Sequence, residues 1–125
     1  MKILLDTNFI LTCIKQKIDF ENIAEEKISE NVEWIIPIEI TEELIKIKEN
    51  KGKTIDRNAA NLALQLILKL KAERIKLGNK KVDDGLVNYL DKNNEIVLAT
   101  LDKNLKKRVK NRILTIKNKK SLGIA

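Results

Sequence analysis

Residues 95–108 read Glu-Ile-Val-Leu-Ala-Thr-Leu-Asp-Lys-Asn-Leu-Lys-Lys-Arg, and this stretch decides the fold. The unbroken apolar run from Glu95 to Thr100 suits a strand covered on both faces, as strands are in a parallel sheet flanked by helices. It ends on an acid, Asp102, after which Leu105 and Val109 recur at helical spacing. The local order is strand, acid, helix.

The same order opens the chain. Ile3 to Leu5 reads as a strand, Asp6 follows it, and a helix is expected from Phe9 to Ile14, with Thr7 and Asn8 as the better caps. Glu33 to Ile36 reads as another strand, closed by the single proline, Pro37, which has no amide to continue a ladder. Ile113 to Ile116 is a further apolar strand, and a weak one is placed near Ile75 to Leu77. Between these runs Ile40, Leu44 and Ile47 mark one helix, and Leu62, Leu66 and Leu70 a longer one from about Ile55 to Glu73. Asp56 is placed to cap its first turn, and Leu86, Val87 and Leu90 mark a helix that begins at Asp83 or Asp84. Short strands alternating with amphipathic helices predict an α/β fold with a mainly parallel sheet of about four to five strands. At 125 residues the chain is read as one domain, residues 1–125.

Composition narrows the chemistry. There is no histidine, which removes the Ser-His-Asp and Cys-His triads and the usual zinc frameworks together. Cys13 is the one thiol, so no disulfide framework exists, and a small buried residue is the expected role. MKILLDTN meets an acid at position 6, and the longest apolar stretch, LALQLILKL, is far short of a membrane span. The expectation is a cytoplasmic protein with no membrane partner.

Charge is strongly uneven. Residues 1–50 hold 11 acidic and 6 basic side chains, against 7 and 19 in residues 51–125, within a net charge of +7. From Lys103 to Lys120 there are nine Lys or Arg and no acid, a run suited to a phosphate backbone or to a solvated face. Four aromatics, Phe9, Phe20, Trp34 and Tyr89, are too few for a base-stacking platform.

Four acids lie beside apolar runs rather than on a charged face: Asp6, Glu43, Asp83 and Asp102. A carboxylate near a core is costly unless something pairs with it. Taken singly, Asp83, Asp84 and Asp102 fit helix capping, but capping accounts for neither Asp6 nor Glu43. Convergence on Mg²⁺ or Mn²⁺ accounts for all four, because hard cations take carboxylate oxygens. In a parallel sheet Asp6 and Asp102 share the rim at the carboxyl ends of the strands. A dehalogenase-type phosphatase needs an aspartate where Asn8 stands, and a receiver domain places its acid pair after the first strand rather than at Asp83 and Asp84.

The blocks DTN (6–8), EEL (42–44), DDGL (83–86) and TLDKNL (100–105), in this order, resemble the PIN domain, a family of small metal-dependent ribonucleases. KGKTIDRNAANLALQLI, VDDGLV, IVLATLDKNLKKRV and the closing ILTIKNKKSLGI resemble the branch of small-subunit rRNA-processing nucleases and their archaeal relatives. The resemblance implies a three-layer α/β/α sandwich, often dimeric, and an endoribonuclease using one or two Mg²⁺ or Mn²⁺ ions. It implies that Asp6, Glu43, Asp83 and Asp102 are catalytic, with Asp6 and Asp102 the principal metal ligands and Asp83 beside them. Asn8 and Thr100 match polar positions that orient acids or water. Asp84 competes with Asp83 for its role, and Glu42 with Glu43. Lys103, Lys106, Lys107 and Arg108 are candidates for steering RNA. Ribosome-assembly proteins and a second copy of the chain are the implied partners. The alternatives are a VapC-type toxin ribonuclease on tRNA or mRNA, with an antitoxin, and a noncatalytic RNA-binding scaffold in ribosome assembly.

Overall fold

In the computed structural model residues 1–118 and 121–125 are described. Lys119 and Lys120, the end of the basic run, lie outside the described residues. Among the described residues there are six strands and six helices, in the order β1 (Lys2–Leu5), α1 (Thr7–Lys15), α2 (Phe20–Lys27), β2 (Glu33–Pro37), α3 (Ile38–Glu49), α4 (Thr54–Leu70), β3 (Glu73–Ile75), α5 (Val82–Asp91), β4 (Val97–Ala99), α6 (Lys103–Arg108), β5 (Ile113–Lys117) and β6 (Ser121–Ile124). They form a three-layer α/β/α sandwich around one sheet ordered β3-β2-β1-β4-β5-β6. All neighbouring strands are parallel except β5 and β6.

The two central strands show why their sequences are continuously apolar. Ile3, Leu4 and Leu5 of β1, and Val97, Leu98 and Ala99 of β4, are buried on both faces of the sheet. Each fully buried aliphatic side chain contributes roughly 1.5–3 kcal/mol. On the helical side, α3 packs along α4, and α1 rests against both. Phe20 from α2 stands edge-on to Phe9 of α1, with centroids 5.6 Å apart, and to Trp34 of β2 at 5.3 Å. One ring thus joins two helices to the sheet.

Several expectations need correction. The sheet has six strands rather than four to five, because Ser121–Ile124 pairs antiparallel with β5, a strand too short and glycine-containing to show a period. Helix α2 was likewise not anticipated. Helix α4 ends at Leu70, where Lys71 takes a left-handed conformation (φ 54°), and Glu73 already belongs to β3. That strand therefore lies two residues before the Ile75 to Leu77 expected for it. The buried face of α4 is Ala59, Ala60, Ala63, Ile67 and Leu70, while Leu62 is 51% exposed. Alanines let neighbouring helices approach closely, so the large leucine is turned outward. Pro37 ends β2 and is also the residue from which α3 starts.

Truncating Phe20 to Ala should cost about 3–5 kcal/mol, as for other buried aromatics. Urea denaturation would show it, and an unchanged midpoint would contradict the bridging role of that ring.

Candidate functional site

The strand order reverses between β1 and β4, and in such sheets the crevice beyond the strand ends at the reversal is where ligands sit. Leu5 is in register with Ala99, and the Asp6 amide donates to the Ala99 carbonyl at 3.1 Å. Asp6 and Thr100 thus leave adjacent strands side by side. The Thr100 hydroxyl donates to Asp6 Oδ2 at 2.8 Å, and the same oxygen accepts the Asp102 amide at 3.1 Å. One fully buried hydroxyl therefore connects two of the four acids.

Both aspartates also begin helices. Asp102 Oδ1 accepts from the amides of Asn104 (2.9 Å) and Leu105 (3.1 Å) at the start of α6. Asp6 is itself the cap of α1, its Oδ1 accepting from the Thr7 amide at 2.9 Å. This corrects the expectation that Thr7 or Asn8 caps that helix, which starts two residues earlier than its apolar spacing indicates. Asn8 is exposed in the first turn, and among the described residues its amide bonds to none of the acids.

Burial raises the Asp6 carboxyl from its ordinary 3.8 to about 6, with the charges of Asp83 and Glu43 adding to it against the hydrogen bonds from Thr100 and Thr7. Glu43, half-buried on α3, is also raised by burial and by Asp83, with the Thr7 hydroxyl and Lys46 opposing. That hydroxyl is buried and has no partner within hydrogen-bond distance, so it stands near Glu43 without bonding to it. Among the described residues no Lys or Arg forms an ion pair with Asp6, Glu43, Asp83 or Asp102. Acids that influence one another with no ion-paired Lys or Arg have the donor chemistry of a hard-cation site. No three of the described acids stand close enough to enclose an ion directly.

Neighbouring acids are separated by their surroundings. Asp84 is paired with Arg108 of α6 at 2.7 Å, whereas Asp83 is the member of that pair whose charge acts on Asp6 and Glu43. Glu42 is exposed and Glu43 half-buried. Of the basic side chains on α6, Arg108 is committed to Asp84 and Lys106 points at Thr115 Oγ1 at 3.5 Å, leaving Lys103 and Lys107 exposed.

Glu39 escaped the sequence reading. One turn before Glu43 on the same helix face, its carboxylate accepts from the Leu77 amide at 3.0 Å and the Gly78 amide at 2.8 Å. Although burial pushes the other way, these amides hold its carboxyl below the usual range. They pin the loop that leads into α5 and Asp83. On the other side a Cβ at Gly85 would fall 2.9 Å from Leu77 Cβ, so α5 and this loop are in close contact. The spacing of four from Glu43 was the one available signal.

The family described as PIN like domain matches residues 3–119. The chain belongs to that family. This PIN domain is 34% identical to Ribonuclease VapC4 of Methanocaldococcus jannaschii over 111 residues, covering 86% of the chain and 82% of the relative. Its fold superposes on the PIN domain endonuclease Utp24 with a TM-score of 0.80 at 27% identity, covering 98% of this chain and 90% of the other. VapBC2 from Rickettsia felis, solved bound to a promoter DNA fragment, shares the fold at a TM-score of 0.57 and 16% identity, with 94% and 100% covered. By family this PIN domain is a nuclease. No helix among the described residues is long and apolar enough to cross a membrane.

The raised Asp6 sets a pH dependence in metal-free buffer. Because its folded value exceeds 3.8, the folded state binds more protons, so the stability that the Asp6 carboxyl contributes is fully present below pH 3.8 and is lost as pH rises through about 6. The loss amounts to about 3 kcal/mol at most. Asp6→Asn should flatten this decline in thermal melts; an unchanged decline would show that Asp6 is not its source.

Proposed function

We propose that this PIN domain is a divalent-metal-dependent endoribonuclease that cleaves RNA phosphodiester bonds, with rRNA processing as its role. The observation that carries the reading is the buried Asp6 carboxylate, flanked by Asp83 and Glu43 and joined through Thr100 to Asp102, with no Lys or Arg paired to any of them among the described residues. Asp6, Asp83 and Asp102 would hold one or two Mg²⁺ or Mn²⁺ ions, largely through water, which Mg²⁺ retains readily. A bound ion of this kind polarises a phosphodiester and lowers the pKa of a coordinated water.

The residues then divide the work. Thr100 fixes the orientation of Asp6 and Asp102. Asp83 enters from α5 and is steadied by the Glu39 clamp on the preceding loop. Glu43, with its carboxyl raised by burial, would take a proton from the attacking water. Lys103 and Lys107 attract the RNA backbone towards the strand ends.

The rRNA role draws on the resemblance of the KGK-containing connection and the closing KNKKSL segment to the rRNA-processing branch. A second reading, a VapC-type toxin acting on tRNA or mRNA with an antitoxin partner, draws on the 34% identity to Ribonuclease VapC4. Under either reading a homodimer is proposed, and the exposed Ile38 and Ile45, seven residues apart on α3, are apolar surface suited to it.

Single-stranded RNA should be cleaved after chelator treatment only when Mg²⁺ or Mn²⁺ is restored. Asp6→Asn and Asp102→Asn should each lower the rate by at least about 10- to 100-fold. The same ions should raise the melting temperature of the wild type more than that of Asp6→Asn, by mass action on the folded state. Undiminished cleavage by both variants would overturn the assignment.

A further inference from the structure

The site leaves one sequence element unused, the connection Asn50-Lys51-Gly52-Lys53 between α3 and α4. In the fold it borders a cavity of about 310 Å³ between α1, the end of α3 and the start of α4. Lys15, Lys53 and Arg57 line it with Asn8 and Asn50, the apolar Leu11 and Ile47, and one acid, Asp56. Lys15 is paired with Asp56 at 2.5 Å, which fixes one wall and uses up that acid. Lys53 is exposed, and among the described residues the Arg57 guanidinium makes only a 3.3 Å contact, from Nη2 to Thr54 Oγ1 in its own helix. Its Nε is buried without a hydrogen-bond partner. A buried donor left in that state normally has a ligand or ordered water to satisfy it.

Asn8 connects this cavity with the acids. It lines the cavity and lies in the first turn of the helix that Asp6 caps. Among the described residues neither Lys53 nor Arg57 forms an ion pair with a carboxylate, and two such cations, one of them a planar fork, match a phosphate oxygen pair better than a neutral group, with the asparagines adding neutral donors.

We propose that this cavity binds the RNA phosphodiester backbone beside the cleavage site, through Arg57 and Lys53 with Asn8 and Asn50. The proposal rests on the ribonuclease reading and specifies the path of its substrate. It places RNA contacts on the α1/α4 side of the acids in addition to those from α6.

The test is fluorescence anisotropy of a labelled single-stranded RNA over a series of salt concentrations, with chelator present so that nothing is cut. Each phosphate contact on a single strand contributes about 0.7 to the slope of log affinity against log salt. Lys53→Gln should lower the slope by about 0.7, and Lys53→Gln with Arg57→Gln by about 1.4, with about tenfold weaker binding at moderate salt. Lys53 is exposed, so its variant reads out even where the double variant folds poorly. Lys69→Gln, in the last turn of α4, should change neither quantity. RNA binding by the wild type that is unchanged in Lys53→Gln and in a folded double variant overturns the proposal alone and leaves the cavity to a protein ligand. Failure of the wild type to bind any RNA overturns the proposal together with the nuclease reading.

Discussion

The hydroxyl of Thr100 is the constraint on which the site depends. It donates to Asp6 and accepts from the Asp102 backbone, so beyond the backbone ladder that pairs β1 with β4 a single side-chain oxygen ties the two acidic positions together. Its complete burial matters as much as its bonds, because a hydroxyl with no access to water has no competing partner. The hydrophobic strands on either side hold it there. Burial of those strands keeps Asp6 out of water, and this raises its carboxyl above the ordinary range. The core and the electrostatics of the acidic pocket are therefore one arrangement seen at two scales.

Much of this was legible in the sequence for a simple reason. A strand buried on both faces reads as an unbroken apolar run, and an acid at its end stands out, as Asp6 does after Ile3–Leu5 and Asp102 after Ile96–Thr100. What stayed hidden depends on tertiary partners. Strand β6 exists because β5 offers it an edge, and α2 because Phe20 fits between Phe9 and Trp34. Spacing marked Leu62 as core, yet contact with α1 and α3 selected the alanine face of α4. Glu39 drew no reading from the sequence, because its partners, the Leu77 and Gly78 amides, come to it from a distant loop only in the fold.

The basic character of the chain is also redistributed by folding. Counted along the sequence, the block from Lys103 onward dominates. In space Arg108 is bound to Asp84, and exposed, unpaired cations stand also outside the α6 block, among them Lys53 on the α3–α4 connection about fifty residues earlier. Density of charge in a sequence and availability of charge on a surface are separate quantities, divided by which cations have found a carboxylate.

Asp6 and Asp102 each hold the first turn of a helix with one oxygen, whereas among the described residues the Asp83 and Glu43 side chains make no hydrogen bond. A substitution at 6 or 102 therefore touches a helix start as well as the proposed chemistry, and an asparagine there can keep the cap while it removes the charge. A substitution at 43 or 83 takes no helix cap with it.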